Sequence, residues 1–324
     1  MALKKFLLTG LAVMAVLASG QVRAAEYPDK PITILVPFPA GSTSDMIPRL
    51  LGPELTKSLG VPIVVENRAG ANGSIGAARV ASAAPDGYTL LMVTTGIMAI
   101  NQWIYDKPLY SPERDFVPIV NAAATPNMIV VNPSVKASNL KELVDLAKAK
   151  PGTLSFASAG NGSTSHICGE ALKVLGGVDL VHVPYQGPAP AMQDLLGDRV
   201  SMICDNFSNV VGQVRGGKLK PIVVTAKARN EQLPDVPASP EAGMPDLEAG
   251  IWYGFVAPAA TPPAIVEKLN KAFVEALRDP AVKARLEGVG MTIVADTPDQ
   301  FKAFIAKESA RMENIVRQTR AKIP

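Results

Sequence analysis

The chain has 324 residues, 48% hydrophobic and 19% charged, with 32 Lys and Arg against 29 Asp and Glu. The excess positive charge lies in the first two dozen residues, where Lys4, Lys5 and Arg23 have no acidic counterpart. The remainder carries 29 residues of each sign, so nothing in it asks for a nucleic-acid partner.

Lys4 and Lys5 precede a mostly apolar run at 6–19, and Val22-Arg23-Ala24 ends in small residues. This reads as a secretory signal peptide, cleaved after Ala24. The run is shorter than the roughly 20 apolar residues that a membrane helix needs. An exported product located in the periplasm is expected. The 300 residues that follow are enough for two domains.

From residue 27 the pattern alternates between strands and helices. Strands are expected at 32–36, 62–66 and 88–93, and helices at 44–59, 74–83 and 98–105. Pro48 falls early in the first helix, where a missing N–H does little harm, and Pro53 falls deeper, where a kink is expected. An extended run at 115–132 leads to a second alternating set. Its strands fall at 154–157, 180–185, 200–204 and 221–225, and its helices at 140–149, 165–175, 189–196 and 206–215. After a Pro-rich stretch at 233–245, a strand at 251–257 precedes helices at 262–277, 280–288 and 298–320, all with Pro at or near the start.

These elements form two α/β lobes joined by two extended crossings, near 120–126 and 246–254. The C-terminal helices have no sheet of their own and are expected on the first lobe. That lobe then comprises 25–122 and 250–324, with 123–249 as the second. Such a topology allows hinge closure over a ligand.

The string Gly-Ser-Thr-Ser occurs twice, at 41–44 and at 162–165, each time between a strand and a helix. The hydroxyl residues suit a helix N-cap, and free N–H groups at a helix start suit an anion. Two copies in separate halves suggest anion-binding loops that face one cleft. A third Gly-rich loop, 67–73, also enters a helix. The candidate ligand-binding residues are Phe38, Gly41, Ser42 and Thr43; Asn72, Gly73 and Ser74; Thr95; Gly162, Ser163, Thr164, Ser165 and His166; and Tyr185 and Asp205.

Each has a plainer reading. His166 either reaches the cleft or bonds locally at its helix start, and His182, between Val181 and Val183, reads as structural. Asp205 either takes a ligand amino or hydroxyl group or caps the next helix. Arg68 is the best-placed cation near a Gly loop, although an isolated Arg is commonly a surface residue. Trp252 and Tyr253 either line the cleft or pack in the hinge. Cys168 and Cys204, the two cysteines, either pair in the oxidising compartment or lie buried as small apolar residues.

Enzyme chemistry is poorly supported. There is no Gly-x-Ser-x-Gly elbow, no dinucleotide or phosphate-loop spacing and no metal-ligand spacing of histidines, so neither cofactor nor metal is expected. The remaining catalytic alternative is a hydrolase using Ser163 or Thr164 with His166.

The motifs Tyr27-Pro28-Asp29-Lys30-Pro31, Val36-Pro37-Phe38, Val65-Glu66-Asn67-Arg68, Pro85-Asp86-Gly87-Tyr88 and Asp115-Phe116-x-Pro118 set a pattern along the first half. Gly162-Ser163-x-Ser165-His166, Val181-x-Val183-Pro184-Tyr185, Asp205-Asn206 and Gly250-x-x-Tyr253-Gly254 continue it. In order and spacing, nearly end to end, the chain resembles the solute receptors of tripartite tricarboxylate transporters, the Bug type. The resemblance implies a type II periplasmic binding protein fold with a hinged interlobe cleft. It also implies a monomer that binds a small organic carboxylate, aliphatic or aromatic, through backbone amides and ordered waters. Delivery would be to a permease of one large and one small membrane subunit, or, as an alternative, to a signalling protein. Phe38-Pro39-Ala40-Gly41-Ser42 departs from the common Phe-Ala-Pro-Gly-Gly, which implies a differently shaped first loop and leaves the acid unnamed.

Overall fold

The computed structural model describes residues 27–319; the signal segment and its cleavage site lie outside them. Ten strands form one connected sheet in the order β2-β1-β3-β9-β4-β7-β5-β6, with β8 and β10 added on β4. The strands are β1 (Ile32–Val36), β2 (Ile63–Asn67), β3 (Thr89–Thr94), β4 (Phe116–Val131), β5 (Ser155–Ser158), β6 (Val181–Pro184), β7 (Met202–Asn206), β8 (Lys220–Val224), β9 (Gly250–Pro258) and β10 (Thr292–Ile293).

Strand β1 shows why the sheet is covered on both faces. Ile32, Ile34 and Val36 point into one apolar core, while Leu35 points into another on the opposite face. A strand buried on both sides is a continuous apolar run, as parallel sheets require. Each such side chain contributes about 1.5–3 kcal/mol on leaving water. Helices α1 (Thr43–Leu59), α9 (Pro263–Arg278) and α10 (Pro280–Gly288) cover the first face. Helix α2 (Ser74–Ala81) and α11 (Pro298–Thr319) cover the second. Helix α1 runs as one element through both Pro48 and Pro53.

The far half repeats the plan. Helices α5 (Leu140–Ala149) and α6 (Thr164–Gly176) lie over one core, and α7 (Pro188–Leu196) and α8 (Phe207–Arg215) over the other. Cys168 on α6 and Cys204 on β7 are disulfide-bonded.

Strand β4 joins the halves by changing partners. Its first part, from Phe116 to Pro126, pairs antiparallel with β9, and from Asn127 onward it pairs with β7 and β8. The Asn127 amide donates to the Ala249 carbonyl, so the two crossings run side by side. Trp252 packs here edge-on against Phe301 and Phe304 of α11, so it belongs to the crossing and not to the cleft wall. Helix α11 also touches α6, a reach beyond the expectation that the C-terminal helices lie on the first lobe. Three short elements have no counterpart in the predicted set: β10, a single 3-10 turn at Ala71–Gly73, and a one-turn helix, α4 (Pro112–Asp115), which follows α3 (Asn101–Ile104). Among the described residues no helix is long and apolar enough to cross a membrane.

Candidate functional site

The two Gly-Ser-Thr-Ser strings fold alike. Gly41 and Gly162 both have φ of 79°, a left-handed conformation that favours glycine. Ser42 (φ −72°, ψ 162°) and Ser163 (φ −70°, ψ 158°) are the N-caps of α1 and α6, and accept from Asp45 N and His166 N. Each serine hydroxyl donates three residues back, to Pro39 O at 2.7 Å and Gly160 O at 2.6 Å. Each glycine N–H donates to the side chain four residues on, Gly41 to Asp45 Oδ2 at 2.9 Å and Gly162 to His166 Nδ1 at 3.3 Å. The glycine amides are therefore spent within their loops. The amides of Thr43, Ser44, Thr164 and Ser165 pair with no acceptor among the described residues.

These four residues line a cavity of about 100 Å³. Of the fifteen candidates, Phe38, Ser42, Thr43, Asn72, Ser163, Thr164, Ser165 and Asp205 line it. Seven do not. Gly41 borders an adjoining recess, and Gly73 and Tyr185 border another; the Tyr185 hydroxyl faces Asp194, 2.8 Å away. Gly162 faces Asn72, Asn101 and Ile104 instead. Thr95 is buried, its hydroxyl accepting from Trp252 N. Ser74 is buried, its hydroxyl accepting from Asn101 Nδ2.

His166 turns away from the cavity and stacks on His182, with ring centroids 4.2 Å apart; His182 in turn stacks on Phe156. Ser163 and His166 share a backbone N–H contact, and the imidazole ring does not reach the hydroxyl. The nucleophile–base pair of the hydrolase reading is therefore not formed. Burial pushes the His166 pKa down to about 3 and the His182 pKa down to about 4, with Lys173 adding to both. A histidine held neutral when folded must gain a proton when unfolded at lower pH. Stability is thus fully present above about 6.5 and falls as pH drops below it, by on the order of 1 kcal/mol per histidine at pH 5.5. Urea unfolding at pH 7.5 and 5.5 should show this drop, and His182→Gln should lose about half of it.

Asn72 enters the cavity from a strained loop in which Gly70, Ala71, Asn72 and Gly73 all have positive φ. For Ala71 and Asn72 such a backbone is costly and persists only when its surroundings hold it. Here Asn101 holds it: Asn72 Nδ2 donates to Asn101 Oδ1 at 2.9 Å, and Asn101 Nδ2 donates to Asn72 O at 3.1 Å. A Cβ on Gly96 would sit 2.9 Å from Asn72 Nδ2, so a larger residue there would press on this side-chain amide.

Residues outside the predicted set also line the cavity, among them Ser44, Thr94, Asn206, Asn209 and Ile251, and Tyr253 lines it as the first of its two readings has it. Thr94 ends β3 and could have been found by the rule that ligands gather at strand ends. Asn209 lies one turn beyond Asp205, a spacing visible in the sequence. The Thr43 hydroxyl donates to Asn209 Oδ1 at 3.3 Å, and Asn206 Nδ2 donates to the Tyr253 hydroxyl at 3.3 Å, so the walls meet across the cleft. Burial pushes the Asp205 carboxyl up to about 6, partly offset by bonds from Asn206 N and the Asn209 amide. Arg68 is exposed and away from the cavity. No group of metal-ligating side chains is gathered among the described residues.

A chain with paired helix starts around one cleft has the geometry of a receptor. Residues 47–320 match the model of the tripartite tricarboxylate transporter family receptor. The chain belongs to this family. BugT of Bordetella pertussis is 36% identical over 315 residues, covering 97% of each protein. Among solved structures, the R. palustris protein Rpa4515 with adipate is 32% identical, with a TM-score of 0.86 over 91% of this chain and 98% of that one. MatC from Rhodopseudomonas palustris with bound malate is 35% identical, with a TM-score of 0.84 over 90% of this chain and all of that one. The receptor thus has the two-lobe α/β fold of the periplasmic binding proteins that it resembles.

Proposed function

We propose that this receptor binds a small organic carboxylate in the cleft between residues 25–122 with 250–324 and residues 123–249, and performs no chemistry on it. In this reading it works in the periplasm, having lost residues 1–24, and delivers its ligand to a permease of one large and one small membrane subunit. The observation that carries the proposal is the pair of matched helix starts whose unpaired amides line one cavity. A carboxylate leaving water gives up several kcal/mol of hydration, and each charge-assisted hydrogen bond returns about 1.5–3 kcal/mol. Three or four donors are therefore needed, more than one loop supplies. The adipate and malate bound by the two R. palustris proteins are carboxylates, which supports the same class here.

The reading is tested by a thermal-shift screen over carboxylates, in which a ligand at a hundred times its Kd adds about 2.7 kcal/mol of stability. A library that shifts nothing would sink it. Thr164 tests the second loop: it is buried, lines the cavity, and its hydroxyl lies 3.5 Å from Asn206 Oδ1. Thr164→Leu should weaken the best ligand of that screen at least tenfold, or about 1.4 kcal/mol. Unchanged affinity in a folded variant would remove the second loop from the site.

A further inference from the structure

Among the described residues, Asp205 and Tyr253 are the two titratable side chains that line the cavity, and no lysine, arginine or histidine does. The site's one acidic group is therefore buried without a basic partner beside it. Its oxygens take one neutral donor each, Asn206 N to Oδ1 at 2.8 Å and Asn209 Nδ2 to Oδ2 at 3.2 Å. An ionised carboxylate has about four acceptor positions, so roughly half take no donor from the described residues of the protein. Helix capping does not account for the group, because the N-cap of α8 is Asn206 and its side chain makes no capping bond. A buried carboxylate lacking compensation costs several kcal/mol.

We infer that the ligand carries a hydroxyl or ammonium donor beside its carboxylate, and that Asp205 is the acceptor that selects for it. This rests on the carboxylate reading above and adds the second half of the ligand. The acid group faces the amides of Thr43, Ser44, Thr164 and Ser165, and the donor faces Asp205; one cavity of about 100 Å³ keeps both on one small molecule. A site built to pair a substrate O–H or N–H strongly rejects the analogue that lacks it, because the site's polar group is then left unpaired.

The test is calorimetric titration of the full exported protein with matched acids: succinate, malate and aspartate, then propionate, lactate and alanine, then the best acid of the screen with its hydroxy and amino analogues. In at least one set, a hydroxy or amino member should bind at least tenfold tighter than the unsubstituted acid. Asp205→Asn should erase that margin to within threefold. An unsubstituted acid that binds as tightly as its analogues, or a margin that survives Asp205→Asn, overturns the inference alone. If no acid of any set binds, the carboxylate reading has failed first.

Wild-type protein gives a second readout should Asp205→Asn not fold. The margin should shrink as pH falls from 8 to 5, because protonation near 6 removes the charge of the acceptor and turns one of its oxygens into a donor. Thr43, Thr164, Asn206 and Asn209, which line the same cavity, do not titrate, and burial pushes the Tyr253 phenol up, out of the range. His166 and His182, behind the loop, are already neutral throughout it. A margin that stays flat from pH 8 to 5 overturns the inference.

Discussion

Reducing the Cys168–Cys204 bond is expected to lower the unfolding free energy by about 3–4 kcal/mol while ligand affinity stays within threefold. The bond closes a loop of sequence separation 36. Released, that loop returns chain entropy to the unfolded state, and the usual length dependence converts this into the figure given. Both half-cystines sit in a core with Ile129, Phe156 and Met202, where they tie α6 to β7. The neighbouring Ile203 points into the core on the other face of the sheet, as strand alternation requires, and Asp205 follows Ile203 on that side. The sulfur atoms thus lie apart from the cavity walls, which use backbone amides and oxygen-bearing side chains. Urea titrations with and without reductant measure the first part, and calorimetry on a Cys168→Ser, Cys204→Ser protein measures the second. A hundredfold loss of affinity in a folded double variant would place the bond in the binding machinery.

What could be read in advance from this chain was local. Each Gly-Ser-Thr-Ser string carries its own geometry: a glycine for the left-handed turn, a serine for the cap, and an acceptor four residues on. Both copies therefore fold as their residues dictate. The strand at 32–36 and the helix at 140–149 were legible for the same reason, with boundaries set by β-branched runs and by the Asn139 cap. Side-chain direction was not local. His166 sits at the right helix start, yet its ring turns back to accept from Gly162 and to stack on His182, a partner sixteen residues away. Tyr185 is aimed at Asp194 for a similar reason. Asn101, which holds the strained 70–73 loop, lies 29 residues from Asn72, and no local pattern announces it. Ile251 and Tyr253 reach the cavity because β9 pairs with β4 and β3 in a particular register, which only the assembled sheet determines. Two-residue β10 is too short for periodicity to detect.

The first loop has its own single point of failure, Asp45, and Asp45→Ala should cost about 2–4 kcal/mol of stability together with at least a tenfold loss of affinity. The carboxylate is buried at 4% exposure. Its Oδ2 accepts from Gly41 N at 2.9 Å, and its Oδ1 accepts from Arg49 Nε at 2.9 Å and Asn67 Nδ2 at 2.8 Å. Asn67 Nδ2 also donates to Phe38 O at 3.1 Å, so the network anchors a residue that lines the cavity. Alanine would strand an Asn67 donor at about 1–3 kcal/mol. It would also remove a negative charge from the first turn of α1, worth about 0.3–1 kcal/mol. The Gly41 amide, in an exposed loop, recovers part of its loss from water, which keeps the total below that of a fully buried network. Asp45→Asn keeps one acceptor and should fall between the two. The pH dependence separates this account from simple packing. Desolvation raises the Asp45 pKa, but the bonds from Arg49, Gly41 and Asn67 outweigh it and hold the carboxyl below its usual range. Because the folded value is depressed, the contribution is fully present above about pH 4 and is lost as pH falls through the lower folded value. The difference between wild type and Asp45→Ala should therefore be constant from pH 8 to 5 and shrink below pH 4. A difference that persists undiminished at pH 3 would show that the carboxylate's charge is not what holds this loop.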